Sequence, residues 1–324
     1  MAQKGKQMSQ IKKDKVVVIG SGNVGESVAF SLAVGGKASE VVIVDIAEDR
    51  ALGSALDINH GLPFYRQLSV RKAGYEECAD AGIIVVSAGV ARKPGQTRLD
   101  LAKVNVSIAK SIAHNIMEYA KDPIIIVISN PADVLTYVIQ KETGLPAHRV
   151  IGTGTLLDTA RFRYVLAEKC NVAMTDVNSY VLGEHGDSQV PVWSSATIAG
   201  IPLADYCAQK GIDLEPTKAE MTDAVKFAGA KVISLKGATY LGVALNTAQL
   251  INTILGNENA ILPVCHVVTE EIFGESDIAI SMPCIIDNNG IKDMLKVSVS
   301  AEEEELLHKS AGILKDFIGQ AISE

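Results

Sequence analysis

The stretch that most restricts the fold is the apolar run Val16-Val17-Val18-Ile19, which passes directly into Gly20-Ser21-Gly22-Asn23-Val24-Gly25 and then into a helical stretch over residues 24–33. A run of β-branched residues suits a strand buried on both faces. The glycines allow a tight turn and let main-chain N–H groups approach a pyrophosphate at the N-terminus of the following helix. In the order strand, turn, helix, this is the dinucleotide fingerprint, with Gly20, Gly22, Asn23, Val24 and Gly25 as the candidate cofactor contacts. A second strand over residues 41–44 ends in Asp45, 20 residues after Gly25. An acid so placed accepts from both ribose hydroxyls and repels a 2′-phosphate, which selects NAD over NADP.

Strand and helix signals then keep alternating. Strands are predicted over residues 68–71, 83–87 and 124–129, with amphipathic stretches over 49–61 and 99–119 between them. Fully apolar strands separated by helices mean a parallel sheet covered on both faces, with its ligand beyond the carboxyl ends of the strands. Three segments leave from those ends: residues 20–25, residues 88–98, and Asn130-Pro131. The second carries Arg92 and Arg98 and is punctuated by Gly89 and Pro94-Gly95, the composition of a loop able to close over the cofactor.

After Val150 the pattern changes. A helix begins near Thr155, and in it Asp158 and Arg161 stand i, i+3, a spacing that by itself reads as an ordinary intrahelical ion pair. Short strands over residues 178–182, 279–286 and 295–299 mix with helices over 219–235 and 240–255. The last helix opens on a capping box, Ser300 with Glu303, and repeats its apolar residues at helical spacing for core or subunit packing. Within this half lies Leu182-Gly183-Glu184-His185-Gly186-Asp187. Glycines on either side leave the ring open to close approach, and histidine is the side chain that titrates nearest neutrality, so His185 reads as a proton donor and acceptor. A turn histidine that only satisfies a hydrogen bond is the alternative. The other five histidines have no comparable setting and read as structural or surface residues. The chain divides accordingly into a loose tail (1–14), a cofactor-binding domain (15–150) and a substrate domain (151–324).

Composition removes several function classes. Of 324 residues, 48% are hydrophobic, enough for a substantial core. A net charge of −8 with scattered basic residues opposes nucleic-acid binding. No apolar run approaches the roughly 20 residues that span a bilayer, so no membrane partner is expected. The five cysteines, Cys78, Cys170, Cys207, Cys265 and Cys284, are far apart and include no CxxC pair, which indicates neither a disulfide framework nor a metal site and fits a reducing cytoplasm.

Taken together, residues 15–322 resemble the L-lactate and L-malate dehydrogenase family. The motifs that carry the resemblance occur in order: Gly20 to Gly25, Asp45, the Arg92 and Arg98 loop, Ser129-Asn130-Pro131, Leu157-Asp158-Thr159-Ala160-Arg161, and Gly183-Glu184-His185-Gly186-Asp187. The resemblance implies an α/β fold, a doubly wound Rossmann sheet followed by a mixed α/β substrate domain. It also implies NAD as cofactor, a small 2-oxo or 2-hydroxy acid as substrate, and a homo-oligomer, a tetramer ahead of a dimer. Carried over residue by residue, His185 is the acid/base and Asp158 the carboxylate that orients it. Arg161 grips the substrate carboxylate, Arg98 polarises the C2 carbonyl, and Asn130 bonds in the same region and contacts the cofactor. Thr239 falls where lactate enzymes place a threonine against the substrate's small group.

Arg92 falls at the family's substrate-selecting position, where lactate enzymes usually carry glutamine and malate enzymes arginine. Oxaloacetate brings a second carboxylate for the guanidinium, whereas pyruvate would strand it at ~3–5 kcal/mol. L-malate with oxaloacetate is therefore the expected pair, and L-lactate with pyruvate the alternative, because residues 183–193, 236–240 and 257–262 look like those of bacterial lactate dehydrogenases. A catalytically silent NAD-binding redox sensor is a third reading. Many of those bacterial enzymes bind fructose 1,6-bisphosphate through an arginine and a histidine. Arg163 matches the first, but Asn178 stands in the second place, so weak or absent activation is expected.

Overall fold

In the computed structural model, which describes residues 12–90 and 97–323, the framework is a twisted parallel sheet. Its strands are β1 (Lys12–Ile19), β2 (Glu40–Val44), β3 (Ser69–Lys72), β4 (Ala81–Val86), β5 (Ile124–Val127) and β6 (Val150–Gly152), in spatial order β3-β2-β1-β4-β5-β6. The cores of β1, β4 and β5 are buried throughout, as strands flanked by helices on both faces must be. Crossovers run through α1 (Asn23–Gly35), α2 (Glu48–Gly61), α3 (Arg98–Tyr119) and α4 (Ala132–Thr143). The winding direction reverses between β1 and β4, which opens a crevice at their carboxyl ends. β1 extends to the N-terminal side of its apolar run because Lys15 is accommodated inside it. The buried ammonium pairs with Glu77 at 2.6 Å and with Asp80. Burial alone would lower its pKa, and the two carboxylates hold it above the usual lysine value instead.

The second half begins with α5 (Leu156–Cys170) and a three-stranded antiparallel sheet of β7 (Val177–Leu182), β8 (Val190–Ile198) and β9 (Ile201–Pro202). Helices α6 (Leu203–Lys210), α7 (Lys218–Lys226), α8 (Ala228–Lys236) and α9 (Leu241–Gly256) follow. Strands β10 (Ala260–Val268), β11 (Ile278–Asp287) and β12 (Gly290–Met294) are antiparallel and continue the first sheet outward from β6 to nine strands, before α10 (Ala301–Ile322) closes the chain. The fold is thus α/β, a doubly wound sheet followed by a mixed α/β half.

Three features of this half differ from the sequence reading. The strand expected over residues 295–299 lies earlier, at Gly290–Met294, because the turn closed by Gly290 at φ +108° sends the chain straight back along β11. The helix expected over 219–235 is broken at Phe227, two residues before Gly229, whose backbone freedom weakens helical continuity there. β8 and β10 were not legible because prolines interrupt their apolar runs: Pro191 lies in β8, and Pro263 of β10 faces Pro283 of β11. His266 on β10 is buried, and burial lowers its pKa to about 4, so it is a neutral core residue.

The capping box of α10 also anchors the second sheet. Glu303 is buried, and its Oε1 accepts from the main-chain N–H groups of Trp193 (2.7 Å) and Ser194 (3.0 Å). Its Oε2 accepts from Ser300 N–H (2.9 Å) and from the Ser194 hydroxyl. Glu303→Ala leaves buried donors of β8 and the helix cap without an acceptor, a loss of about 2–4 kcal/mol. Calorimetry should show the unfolding midpoint lowered by roughly 3–6 °C, and a change under about 1 °C would show that these contacts do little.

Candidate active site

At the carboxyl end of β1 the chain turns at Gly20, whose φ of +105° suits glycine, and any Cβ there would lie 2.7 Å from the main-chain nitrogen of Ala88. Gly25 is equally constrained, since a Cβ would sit 1.8 Å from the carbonyl oxygen of Gly20. Gly22 is different: it is the N-cap of α1, no side chain caps the helix, and the space where a Cβ would project is open. The turn therefore leaves room and donors for a phosphate group at a helix N-terminus. Val24 packs on the core, and Asn23 Oδ1 accepts from Arg50 at 3.3 Å. Asp45 directly follows β2 beside the same turn, accepting from Ser21 N–H (2.5 Å), the Ser21 hydroxyl (2.9 Å) and Ala47 N–H (2.8 Å). Burial would raise its pKa, but those main-chain donors and Arg50 hold it below the ordinary value, so it is an anion. The turn and the anion fit a dinucleotide without a 2′-phosphate.

The loops after β4 and β5 are joined next to this crevice by Asn105 of α3. Its buried amide bonds both main-chain groups of Val90 (2.9 and 3.2 Å) and donates to the Asn130 carbonyl at 2.7 Å. Asn130 is itself exposed, with its side-chain oxygen on Ala132 N–H at 3.3 Å.

His185 reaches the crevice from the other half. Leaving β7, the chain adopts φ +85° at Gly183 and exchanges two 3.2 Å main-chain hydrogen bonds with Ser281 of β11. That bridge ties the two sheets together two residues before the histidine. The start of α5 is fastened to the same place: Thr155 N–H donates to the Ser281 hydroxyl (3.1 Å), the Thr155 hydroxyl donates to Val181 O (2.5 Å), and Val181 N–H donates to the Thr159 hydroxyl (2.8 Å). One turn into α5, Asp158 is 1% exposed and lies 2.6 Å from His185 Nδ1 through Oδ2 and 2.8 Å from Arg161 Nη1 through Oδ1.

The imidazole keeps 24% of its side-chain surface exposed. Burial pulls its pKa down, but Asp158, reinforced by Asp133, outweighs that and raises it to about 9. Asp158 is displaced the opposite way: burial opposes its charge, and His185 and Arg161 hold its pKa below the usual value. A buried carboxylate, an imidazolium and a guanidinium thus form one linked group. The i, i+3 ion pair suggested by spacing does form, as part of that group.

Arg98, the first residue of α3, meets the same segment through Asp187, Nη1 to Oδ2 at 2.7 Å, with both side chains more than half exposed. Arg161 also lies against α8, its Nη2 3.5 Å from where a Gly229 Cβ would be. Thr239 is half-buried in the connection between α8 and α9. Arg92 lies outside the described residues. Sequence reasoning missed the two side chains that fix the histidine segment from behind. Asp133 accepts from His185 N–H at 2.7 Å, and the Ser310 hydroxyl of α10 accepts from Glu184 N–H at 2.9 Å. A single acid and a single serine in helical runs carry no local signal of such a role. Among the described residues, no group of three or more His, Cys, Asp or Glu is placed to hold a metal ion, and no helix is long and apolar enough to cross a membrane.

A dinucleotide turn at the switch point of a doubly wound sheet, faced by a carboxylate-backed histidine from a second half, defines a nucleotide-linked oxidoreductase architecture. Comparison with known proteins makes this particular. Residues 14–152 match the family model described as lactate/malate dehydrogenase, NAD binding domain, and residues 155–324 match its alpha/beta C-terminal domain. The L-lactate dehydrogenase of Halalkalibacterium halodurans is 44% identical over 95% of this chain and 98% of its own length. That of Acetivibrio thermocellus is 42% identical over 94% of this chain and 96% of its own. Among solved structures, the minor L-lactate dehydrogenase from Enterococcus mundtii superposes with a TM-score of 0.92 at 40% identity, covering 98% of this chain and all of that one. A lactate dehydrogenase from a Medee basin deep-sea metagenome library gives 0.93 at 37% identity, covering 97% of this chain and all of that one. The chain belongs to the lactate/malate dehydrogenase family. It is an NAD-dependent 2-hydroxy acid dehydrogenase.

Proposed function

We propose that the protein interconverts pyruvate and L-lactate. The observation that carries the dehydrogenase chemistry, common to lactate and malate, is the buried Asp158 holding Nδ1 of His185 while Arg161 binds the other oxygen of the same carboxylate. With Nδ1 occupied, Nε2 is the ring nitrogen left to exchange a proton with the substrate oxygen. NAD, when bound, would supply or accept the hydride at substrate C2. His185 would give its proton to the substrate oxygen in reduction and take it back in oxidation, with Asp158 keeping the ring in the productive tautomer. Arg161 holds the substrate carboxylate through donors not used by Asp158. Arg98 leaves Asp187 to polarise the carbonyl, and Asn130 and Thr239 line the remainder of the pocket. Residues 15–150 supply the cofactor side of this site and residues 151–324 the substrate side. The names of the relatives support lactate over malate.

A second reading, oxaloacetate and L-malate, is favoured by one residue, Arg92, which offers a partner to a second substrate carboxylate. We further propose a cytoplasmic homo-oligomer, a tetramer ahead of a dimer. Five unpaired, buried cysteines support the compartment. Exposed apolar side chains on α1, α2 and α9, Phe30, Leu52, Leu56, Leu241 and Leu245, support self-association, which sedimentation would measure.

Initial rates of NADH oxidation should give a higher kcat/KM for pyruvate than for oxaloacetate. A ratio strongly favouring oxaloacetate would overturn the lactate reading and make Arg92 the selector. Because the imidazole titrates at about 9, kcat/KM for reduction should hold constant through neutrality and fall as pH rises through that value, while oxidation gains over the same interval. His185→Ala should abolish both reactions and leave NADH binding intact, whereas wild-type protein that binds NADH without turnover would be a silent sensor.

Fructose 1,6-bisphosphate should change the substrate KM less than about twofold. The Arg163 guanidinium is already engaged, donating to Ser179 O (3.1 Å) and Asn178 Oδ1 (3.3 Å) and lying over the Tyr180 ring at 5.7 Å, and Asn178 offers no cation beside it. A large fall in KM on adding the sugar bisphosphate would refute this.

A further inference from the structure

His185 is bounded by a second carboxylate whose work the reaction scheme above does not use. Asp133 lies in the first turn of α4, immediately after the Asn130-Pro131 segment, and is 3% exposed. Its Oδ2 accepts from the His185 main-chain N–H at 2.7 Å. Its Oδ1 is buried and has no hydrogen-bond partner of normal geometry, with the Cys265 thiol, a weak donor, beside the carboxyl group. A buried carboxylate with one oxygen unsatisfied is costly, and the residue that it does contact is the proton-transferring one.

We propose that Asp133 is a positioning residue for proton transfer, holding the His185 main chain through its N–H and acting, alongside Asp158, as a second carboxylate that sets where the imidazole ionises. The inference rests on the reading of His185 as the acid/base. Two kinds of observation support it. The first is geometric: Asp133 fixes the backbone of His185 from α4, while Asp158 fixes its ring from α5, so the histidine is held at two independent points. The second is electrostatic. Around the histidine stand Asp158 and Arg161 from α5, Asp133 from α4, and Glu184 and Asp187 from its own segment. Asp187 is paired with Arg98 of α3 until substrate draws that arginine away, and the Glu184 carboxylate is folded onto Ser188, accepting from its N–H at 2.9 Å. α10 contributes the uncharged Ser310, and β10 the Cys265 thiol, which faces Asp133.

Burial pushes Asp133 up to about 6, against the lowering influence of His185 and Cys265, while Asp133 in turn raises His185. The two groups are therefore linked, each favouring the charged form of the other. At neutral pH the anion of Asp133 sits at the N-terminal end of α4, where the helix dipole also favours it.

The experiment compares pH profiles of kcat/KM for NADH-dependent 2-oxo acid reduction in wild type and Asp133→Asn. The amide retains an oxygen to accept the His185 N–H and removes the charge. The descending limb should move to lower pH by roughly one unit or more, the size a neighbouring opposite charge gives, with NADH affinity unchanged. A folded Asp133→Asn protein with the wild-type profile would overturn the proposal, leaving Asp133 as a structural residue only. If that variant does not fold, Asp133→Ser decides. It likewise removes the charge, so the limb should again move to lower pH, and an unmoved profile would again overturn the proposal. Wild-type turnover and its loss in His185→Ala test the underlying acid/base reading separately. If wild type turns over 2-oxo acids and His185→Ala does not, an unshifted Asp133→Asn profile counts against Asp133 alone.

Discussion

Everything at this site depends on one buried contact, the 2.6 Å approach of Asp158 to Nδ1 of His185. A carboxylate sealed from water is unfavourable by itself, and it stays ionised here because a cation lies against each of its oxygens. The same field keeps the imidazole protonated well above neutrality. Neither partner would hold its charge in that place without the other, which is why the geometry must be fixed before any substrate arrives.

The scaffold fixes it by fastening α5, β7 and β11 together at one point. Ser281 accepts from and donates to Gly183, and its hydroxyl accepts from Thr155, so the strand leading to the histidine and the helix carrying Asp158 share an anchor. Because β11 belongs to the same nine-stranded sheet as the cofactor turn, that anchor also sets the distance between the two halves of the site. α10, held by Glu303 at one place and touching the histidine segment through Ser310 at another, closes the arrangement from behind. Charged side chains toward solvent, Arg98 and Asp187, are by contrast more than half exposed and free to exchange partners at little cost.

The division between rigid and exchangeable parts matches the chemistry proposed for this site. Proton transfer needs a fixed donor within about 3 Å of its acceptor, and His185 has a buried partner on its ring and another on its backbone. Substrate capture needs groups that can change partners, and Arg98 is paired with an exposed acid on the histidine segment itself. Lactate and malate differ beyond C3, so the proposed acid/base group would serve either substrate and the choice would fall to other residues.

The nucleotide half was legible in the sequence because its signals are local. The β-branched run, the glycine turn and an acid at the end of the next strand are each short-range requirements of backbone geometry, and each lies where expected, from Gly20 to Asp45. The motif around His185 was legible for the same reason, since Gly183 is demanded by its φ and a Cβ at Gly186 would press on the Glu184 carboxylate. What the sequence by itself determined was therefore the fold class, the NAD-binding turn and the local backbone of the histidine segment. Only the tertiary structure decided that Asp158 and Arg161 are more than a surface ion pair, that β10 to β12 extend the first sheet, and that Asp133 and Ser310 hold the histidine segment. Those roles arise from contacts between residues 27 to 126 positions apart, and separations of that length leave no periodicity or spacing in the chain to read.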